Sequence, residues 1–257
     1  GATDSHLKAM NILGQLVVLF LVSGIAACTA WRWSEKPNPS PTPIVKSSAS
    51  QPDGQSSATL PDTPTIPLPP PRLQGTISLE ETLAKRRSVR QFRPEPLSLE
   101  QLSQLCWATQ GITHPDGLRT APSAGALYPL EVYVLLPQGV YHYDPQKHTL
   151  SRWREGDFRP ALHAVSLRQD AIVQAPAVFV LTAVYERTEA KYGKQRSPRY
   201  VHLEAGHASQ NLLLQAVALD LGAVPIGAFY DDQVQEILDL AGDQQPLYLI
   251  PVGHPRR

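Results

Sequence analysis

A proline-rich stretch from residue 37 to residue 71 limits which parts of this chain can fold. Eleven of the 25 prolines of the 257-residue chain lie there, among Ser, Thr and Gln and without any aromatic residue. Such a composition cannot bury enough apolar surface to offset the conformational entropy lost on folding. We therefore expect a disordered Pro/Ser-rich tether over 29–71, with polyproline II structure near its end, and one folded domain over 72–257.

An apolar run precedes the tether. Residues 12–27 are uncharged and mostly apolar, and they end in Ile25-Ala26-Ala27-Cys28. The run is shorter than the roughly 20 residues of a membrane span and suits the core of a signal peptide. Small residues before a cysteine resemble the lipobox of bacterial lipoproteins. We expect residues 1–28 to be a signal region with lipidation at Cys28, so that the domain is exported and held at a membrane.

Two alternatives for this run stay open. A signal anchor with the domain facing the cytoplasm is favoured by charge, because Arg32 and Lys36 follow the run and no Lys or Arg lies between Met10 and the run. A buried core helix is the other alternative. Lys8 adds a positive flank for export only if residues 1–9 are native rather than a cloning remnant.

Charge and cysteine content exclude several functions. The chain has 23 basic and 23 acidic residues, so no charge excess favours a nucleic-acid partner. Its two cysteines cannot form a disulfide framework or a cysteine zinc cluster. Glu204 and His207 have the Glu-x-x-His spacing of di-iron bundles, but the sequence has no second such pair. We predict no metal site.

Capping and apolar patterns predict an α+β domain. Ser78 and Ser98 begin capping-box patterns, which predict helices from about residues 79 and 99. The other predicted helices cover 199–221, ending at Gly222, and 232–240. Predicted strands cover 131–136, 177–184, 223–229 and 247–252, with a hairpin of 140–143 and 149–153. Because hairpins interrupt βαβ alternation, we expect a central, mostly antiparallel sheet flanked by helices.

Segments rich in cations or in small residues carry the candidate chemistry. Residues 85–90 (KRRSVR) contain four cations, which suit a phosphate dianion, although cations at a helix end are commonly just solvated. Residues 119–129 form a small-residue loop before a strand, and residues 222–229 form another. Such backbone suits a flat ligand lying close to the main chain.

Four motifs in this order resemble the FMN-dependent nitroreductase superfamily: RRSVRQF, APSAGALYPLEVYV, EAGHASQNLLLQAVALDLGAVPIGAF and PVGHP. The chain most resembles the SagB/ThcOx-type dehydrogenase branch, whose best-known members oxidise peptide azolines to azoles. The resemblance covers 76–255. It implies a nitroreductase-like fold, a homodimer with FMN at its interface, and hydride transfer between an organic substrate and the flavin N5 atom.

The resemblance also implies roles for single residues in holding FMN. Arg86 and Ser88, with Arg87 adjacent, would lie at the phosphate and ribityl chain, and Arg90 near the N1/C2 edge, where positive charge stabilises the reduced flavin. The loop that reaches the flavin across the interface corresponds to Pro122, Ser123 and Ala124. The segment on the ring, with a backbone N–H at N5, corresponds to Pro225, Ile226 and Gly227. The Lys-x-Arg that completes the phosphate site in many nitroreductases has no counterpart here, and Arg256 or Arg257 is the candidate substitute.

Lys191 and Tyr192 are the candidate acid-base pair. The resemblance implies this role, since azoline-oxidising members have a Lys-Tyr pair at this position. A base that removes the neighbouring proton makes hydride loss easier, provided that the lysine can be neutral. The alternative is a solvated loop cluster, because Lys194, Arg196 and Arg199 follow closely.

A polar row on the long predicted helix is left open. Glu204, His207 and Asn211 share one face among apolar residues, and FMN, a second subunit or core hydrogen bonds could satisfy them. Cys106, between Leu105 and Trp107, is expected to be a buried, unreactive thiol.

The predicted substrate is a small molecule or a peptide heterocycle. An NAD(P)H-dependent nitroreductase and a membrane-tethered flavin-binding module without catalysis are the alternatives.

Overall fold

The computed structural model describes residues 64–256. Among these residues, no helix combines the length and the apolar character needed to span a membrane. The predicted signal region, Cys28, Arg257 and most of the predicted tether lie outside the described residues.

An antiparallel sheet forms the centre of the described domain. Its seven strands lie in the order β1-β4-β3-β2-β5-β7-β6, and every neighbouring pair is antiparallel. The strands are β1 (Thr65–Pro67), β2 (Leu130–Leu136), β3 (Gly139–Asp144), β4 (Thr149–Glu155), β5 (Ala177–Val184), β6 (Gly222–Ala223) and β7 (Gln244–Gly253).

Helices cover both faces of this sheet. They are α1 (Leu79–Lys85), α2 (Leu99–Gln110), α3 (Arg159–Val165), α4 (Ala171–Gln174), α5 (Tyr185–Ala218) and α6 (Asp231–Leu238), with a 3₁₀ turn at Ala124–Ala126. The Ser78 and Ser98 hydroxyls accept hydrogen bonds from the third residue of α1 and α2, as the capping patterns predict. The predicted α+β class with a mostly antiparallel sheet is confirmed.

Alternation along the central strands builds two hydrophobic cores. One face of β2, with Leu130 and Val134, packs with Leu105 of α2 and Leu212 of α5. The other face belongs to the core that includes α3, α4 and α6. Both faces are buried, which explains the continuous apolar runs of β2 and β5. Cys106 is fully buried, and burial raises the pKa of its thiol, so the expectation of an unreactive thiol is supported.

Order begins earlier than the composition suggests. Residues 65–67, inside the predicted tether, form β1 and pair with β4. Leu68 is buried, and the Ser103 hydroxyl donates a hydrogen bond to the Pro69 carbonyl oxygen. The end of the proline-rich stretch is therefore attached to the domain by strand pairing, which composition alone does not reveal.

Two predicted elements have different bounds. The strand predicted over 223–229 is only Gly222–Ala223, followed by an isolated bridge between Ile226 and Leu249. The long helix begins at Tyr185 rather than Arg199 and has a kink at Gly193, where φ is 73° and ψ is 162°. Gly193 and Pro198 favour a loop in the sequence, whereas the structure breaks the helix only at Gly193 and keeps Pro198 helical.

Candidate functional site

Most of the residues predicted to hold the cofactor phosphate lie on one extended segment, which pairs with residues near the C-terminus. Residues 86–93 follow α1, and their backbone pairs with the end of the fold: Val89 N donates to Ala223 O at 3.0 Å and Arg93 N to His254 O at 2.8 Å. Arg256 N donates to Gln91 O at 3.0 Å. These bonds bring Arg86, Arg87, Ser88, Arg90 and Arg256 into one region, which we name the arginine site.

Two glycines allow this segment to pack tightly on the core. A Cβ atom on Gly222 would lie 2.6 Å from Cβ of Val89, and one on Gly253 would lie 2.5 Å from Cδ of Pro176 and 3.1 Å from the ring of Phe92. No side chain fits at such distances. The backbone that carries the arginines is therefore fixed by close packing as well as by hydrogen bonds.

The cations of the arginine site have no acidic partner among residues 64–256. No carboxylate there lies within ion-pair distance of Arg86, Arg87, Arg90 or Arg256. Arg87 Nη1 donates to the Ala84 carbonyl oxygen at 3.0 Å, so it also covers the end of α1. A cavity of about 200 Å³, lined by Lys85, Arg86, Arg87, Gly222 and Ala223 among others, opens here. The Asp220 carboxyl also lines this cavity. Clustered guanidinium groups fit a phosphate dianion.

The segment predicted to lie on the ring has one free amide. Ile226 N donates to Leu249 O at 2.8 Å, and proline has no N–H, so neither Ile226 nor Pro225 can offer an amide proton to a ligand. Gly227 is exposed, its N–H has no acceptor among the described residues, and a Cβ placed on it would meet nothing within 4 Å. Gly227 is therefore the residue of the three that leaves room for a flat group beside an N–H donor.

Lys191 and Tyr192 converge on the small-residue loop. They lie at the end of the short first segment of α5, just before the kink, and Lys191 is exposed, as a solvated cluster would also be. A Cβ on Gly125 would be 2.9 Å from Lys191 Nζ and 3.0 Å from Tyr192 Oη. The amine and the hydroxyl thus meet above a residue that has no side chain. We name Lys191, Tyr192 and residues 122–126 the Lys-Tyr site.

The loop at this site has an unusual backbone. Gly125, Ala126 and Tyr128 have φ of 64°, 54° and 47°. The left-handed region is uncommon for residues with a side chain, and for a bulky residue such as tyrosine it is a real departure. The Ser123 hydroxyl accepts a hydrogen bond from Tyr128 N at 2.9 Å and helps to hold the turn.

The polar row on α5 faces this loop in part. Glu204 is 3% exposed, and its Oε1 atom has no hydrogen-bond partner in the described chain. Burial raises the pKa of Glu204 to about 7, while Ser123, Arg119 and Gln110 act in the opposite direction. Asn211 Nδ2 donates to the Thr120 carbonyl oxygen at 3.2 Å, and His207 is exposed. The Asn211 amide is therefore satisfied by a core hydrogen bond. The Glu204 carboxyl lies next to Ser123 of the loop.

The two sites lie at different places along α5. The Lys-Tyr pair lies just before the kink and its loop contacts α5 as far as Asn211, whereas the cavity of the arginine site is lined by Leu213 and Val217, near the end of α5. At 1.5 Å per residue, α5 runs for roughly 30 Å between the kink and Leu213. The predicted cofactor residues are thus not one cluster in a single copy of the chain. Sequence reasoning missed the contribution of Gly125, Arg119, Tyr128 and Gln110, whose contacts depend on tertiary structure.

The described residues contain no group of three or more His, Cys, Asp or Glu side chains that could hold a metal ion.

Comparison with known proteins agrees with this architecture. The sheet and helices form a nitroreductase-like fold, and the profile of the nitroreductase family matches residues 83–254. A Methanocaldococcus jannaschii protein named as a nitroreductase, MJ1384, is 45% identical over 183 residues, which cover 69% of this chain and 91% of that protein. The chain belongs to the nitroreductase family and is an oxidoreductase of that family.

Two further similarities differ in strength. A crystal structure of a nitroreductase-named protein from Ralstonia eutropha JMP134 superposes with a TM-score of 0.69 and 34% identity, covering 75% of this chain and 90% of that chain. The trifolitoxin operon protein TfxC of Rhizobium leguminosarum bv. trifolii is 24% identical over 205 residues, which cover 72% of this chain and 57% of that protein.

Proposed function

We propose that this protein is an FMN-dependent oxidoreductase of the SagB-type dehydrogenase branch, which transfers a hydride between an organic substrate and the flavin. The observation that carries the proposal is the convergence of Lys191 Nζ and Tyr192 Oη on Gly125. A base and a hydroxyl that meet above bare backbone form a place where a substrate can lose a proton.

The arginine site supports FMN as the cofactor. Arg86 and Arg87 have no acidic partner among the described residues and would hold the phosphate dianion, with the Ser88 hydroxyl as a further donor. Arg256 lies near the same segment through its bond to Gln91. Arg90 is exposed and free to reach the ring edge, and Gly227 offers the N–H beside the ring. Bound FMN would supply a ring that exchanges a hydride at N5.

The separation of the two sites supports a homodimer. The cavity of about 200 Å³ at the arginine site is smaller than the roughly 300–1,000 Å³ of ordinary ligand pockets. A second copy would complete it with its own Pro122, Ser123 and Ala124. Leu73, Leu79 and Leu203 are 79%, 61% and 55% exposed, and Leu73 and Leu79 line a cavity of about 440 Å³ that also has polar residues in its wall. Exposed apolar surface of this kind is typical of an interface.

Lys191 and Tyr192 would act on the substrate. The amine of Lys191 would accept a proton from the substrate atom next to the carbon that loses the hydride. The Tyr192 hydroxyl, beside it at Gly125, would orient the same atom by a hydrogen bond. The substrate thereby loses two electrons and two protons in all, and a new double bond forms between the two atoms.

The most specific part of the proposal concerns the class of substrate. We favour a peptide heterocycle, supported by the similarity to the trifolitoxin operon protein TfxC and by the Lys-Tyr pair. NAD(P)H-dependent nitroreduction is the second candidate, favoured by the name of the 45% identical relative.

Absorption spectroscopy tests the proposal. Purified protein is expected to be yellow, and an anaerobic mixture with a thiazoline- or oxazoline-containing peptide is expected to bleach the flavin. Rapid bleaching by NADH or NADPH alone would favour the nitroreductase. A bound flavin that none of these donors bleaches would indicate a flavin-binding module without catalysis, and a colourless protein after incubation with excess FMN would contradict the cofactor.

Membrane anchoring through Cys28 is a separate proposal, supported by the sequence pattern alone. Intact-protein mass spectrometry of the chain made in a bacterial host is expected to show cleavage before Cys28 and an added lipid mass. An unmodified Cys28 would contradict it.

A further inference from the structure

The loop from Arg119 to Tyr128 is closed by its own end residues. Arg119 N donates a hydrogen bond to Tyr128 Oη at 3.1 Å, and the Arg119 guanidinium lies 4.5 Å from the centroid of the Tyr128 ring. A guanidinium over an aromatic face is attracted to it, more strongly where water is excluded. One residue pair thus ties the two ends of the loop together, and we name this pair the loop clamp.

The loop clamp is fastened to the helices on either side. Arg119 Nη1 donates to Gln110 Oε1 at 2.9 Å, at the end of α2. Arg187 Nη1 donates to the Tyr128 carbonyl oxygen at 3.1 Å. Arg187 lies one helical turn before Lys191 on the short first segment of α5, so the same segment holds the loop and carries the candidate base.

The loop clamp holds a loop whose backbone conformation is unfavourable by itself. Gly125, Ala126 and Tyr128 all have left-handed backbone angles, and such a run persists only where its surroundings determine it. The position of Gly125 in turn decides whether Lys191 Nζ and Tyr192 Oη can meet, because a Cβ at Gly125 would already be within 3.0 Å of both atoms. A small movement of the loop therefore changes the geometry of the Lys-Tyr pair.

We propose that Arg119 and Tyr128 are positioning residues, which fix the loop so that Lys191 and Tyr192 are held in reacting geometry. This inference rests on the proposed function. Misplacement of a catalytic group by about 1 Å can lower a rate by roughly 100-fold without changing what binds. Loss of the clamp is therefore expected to lower kcat by a much larger factor than it changes KM or flavin affinity, although residues 122–124 of the same loop would contact the flavin.

Tyr128→Phe is the sharpest test, because it removes only the hydroxyl that accepts the Arg119 N–H and keeps the ring under the guanidinium. Tyr230→Phe is the matched control, since Tyr230 is exposed and precedes α6. Arg119→Lys is a second variant, which keeps the charge and loses the planar group that stacks on the ring and binds Gln110.

Amide hydrogen exchange, lysine labelling, steady-state kinetics and flavin binding are measured on each full-length protein. We expect amide hydrogen exchange at Arg119 to become roughly tenfold faster in Tyr128→Phe. The rate at which an amine-selective acylating reagent labels Lys191 should rise at least threefold relative to Lys194. The kcat should fall about tenfold or more, while KM and the FMN dissociation constant change by a clearly smaller factor. Arg119→Lys keeps the backbone bond to Tyr128 Oη, so it should show the labelling and kinetic changes without the faster exchange, and Tyr230→Phe should match the unaltered protein.

The inference would be overturned if amide exchange at Arg119 became faster while Lys191 labelling and kcat stayed unchanged. The clamp would then hold the loop without positioning Lys191 and Tyr192. A parallel fall in flavin affinity and kcat would overturn it too, as the sign of general damage. The labelling result decides the positioning of Lys191 even if the protein binds no FMN, so failure of the proposed function is distinguishable from failure of the clamp.

Discussion

The arginine site and the Lys-Tyr site are built in contrasting ways. At the arginine site, backbone hydrogen bonds from Val89 and Arg93 and the close packing at Gly222 and Gly253 fix an extended segment on the core. At the Lys-Tyr site, a loop with left-handed residues is held by side chains. The first construction suits the holding of a charged group, which needs fixed cations. The second suits reaction chemistry, which needs an amine and a hydroxyl at one point in space.

The largest effect is expected from the base. Lys191→Met should lower kcat by about 100- to 10,000-fold, the range for loss of a general base, while flavin stays bound because the arginine site is intact. Stopped-flow reduction of the bound flavin measures the rate. Lys194→Met, at an exposed cation after the kink, is the control and should keep full activity. Equal rates in the two variants would remove Lys191 from the reaction.

The next effect belongs to the cofactor. Arg86→Ala with Arg87→Ala should weaken FMN binding by roughly 100-fold, since each charge-assisted hydrogen bond contributes about 1.5–3 kcal/mol and water replaces part of it. At saturating FMN the double variant should recover most of its kcat. Arg152→Ala, on β4, is the control, measured in the same fluorescence titration of free flavin. An unchanged dissociation constant would place the phosphate elsewhere.

The pH dependence of stability should report on Glu204, which lies next to the loop of the Lys-Tyr site. The pKa of Glu204 is raised to about 7 in the folded protein from an ordinary value of 4.5, so the folded state binds the proton more tightly. Its contribution is fully present below about pH 4.5 and is lost as pH rises through about 7. Glu204→Gln should therefore reduce the fall in unfolding free energy between pH 5 and 8 by about 2 kcal/mol.

Urea unfolding at several pH values measures this change in stability. Glu236→Gln, at an exposed position on α6, should leave the profile as it is. A Glu204→Gln profile that runs parallel to that of the unaltered protein would show that Glu204 is ionised throughout this pH range.

A smaller effect is expected from Gly125→Ala. Its Cβ would lie within 3.0 Å of both catalytic groups, at a φ of 64°, so the Lys-Tyr pair must move apart. We expect kcat to fall about tenfold from this misplacement, with a loss of about 1 kcal/mol in stability from the left-handed backbone. Gly117→Ala is a matched control, because its φ is 81° but nothing lies within 4 Å of the added Cβ. Similar kcat values for both variants would mean that the contact with Lys191 and Tyr192 does not matter.

The sequence predicted the arginine site better than the Lys-Tyr site. Residues 86–90 are contiguous, and their charge is visible without a structure. The capping serines of α1 and α2 and the apolar runs of β2 and β5 likewise follow from local rules. Arg119 and Tyr128 gave no local signal, since their contact closes a loop whose backbone angles no pattern encodes. The helix before Gly193 was missed because a glycine and a proline follow one another closely in a polar stretch.

The free amide at Gly227 is another feature that the sequence could not predict, because it depends on tertiary contacts. The motif marks Pro225, Ile226 and Gly227 together, but strand-like pairing with Leu249 uses the Ile226 N–H. Which of the three can donate to a ligand is a property of the partner strand, and that strand lies more than twenty residues away in the sequence.

In the proposed homodimer, one active site would join the arginine site of one copy to the Lys-Tyr site of the other. Mixing Arg86→Ala/Arg87→Ala chains with Lys191→Met chains tests it directly, at an FMN concentration that the double variant cannot bind. Random exchange in a twofold dimer makes half of the dimers mixed, each with one fully intact site, so about one quarter of the unaltered activity should return. Activity no higher than the sum of the two variants measured separately would contradict a shared site.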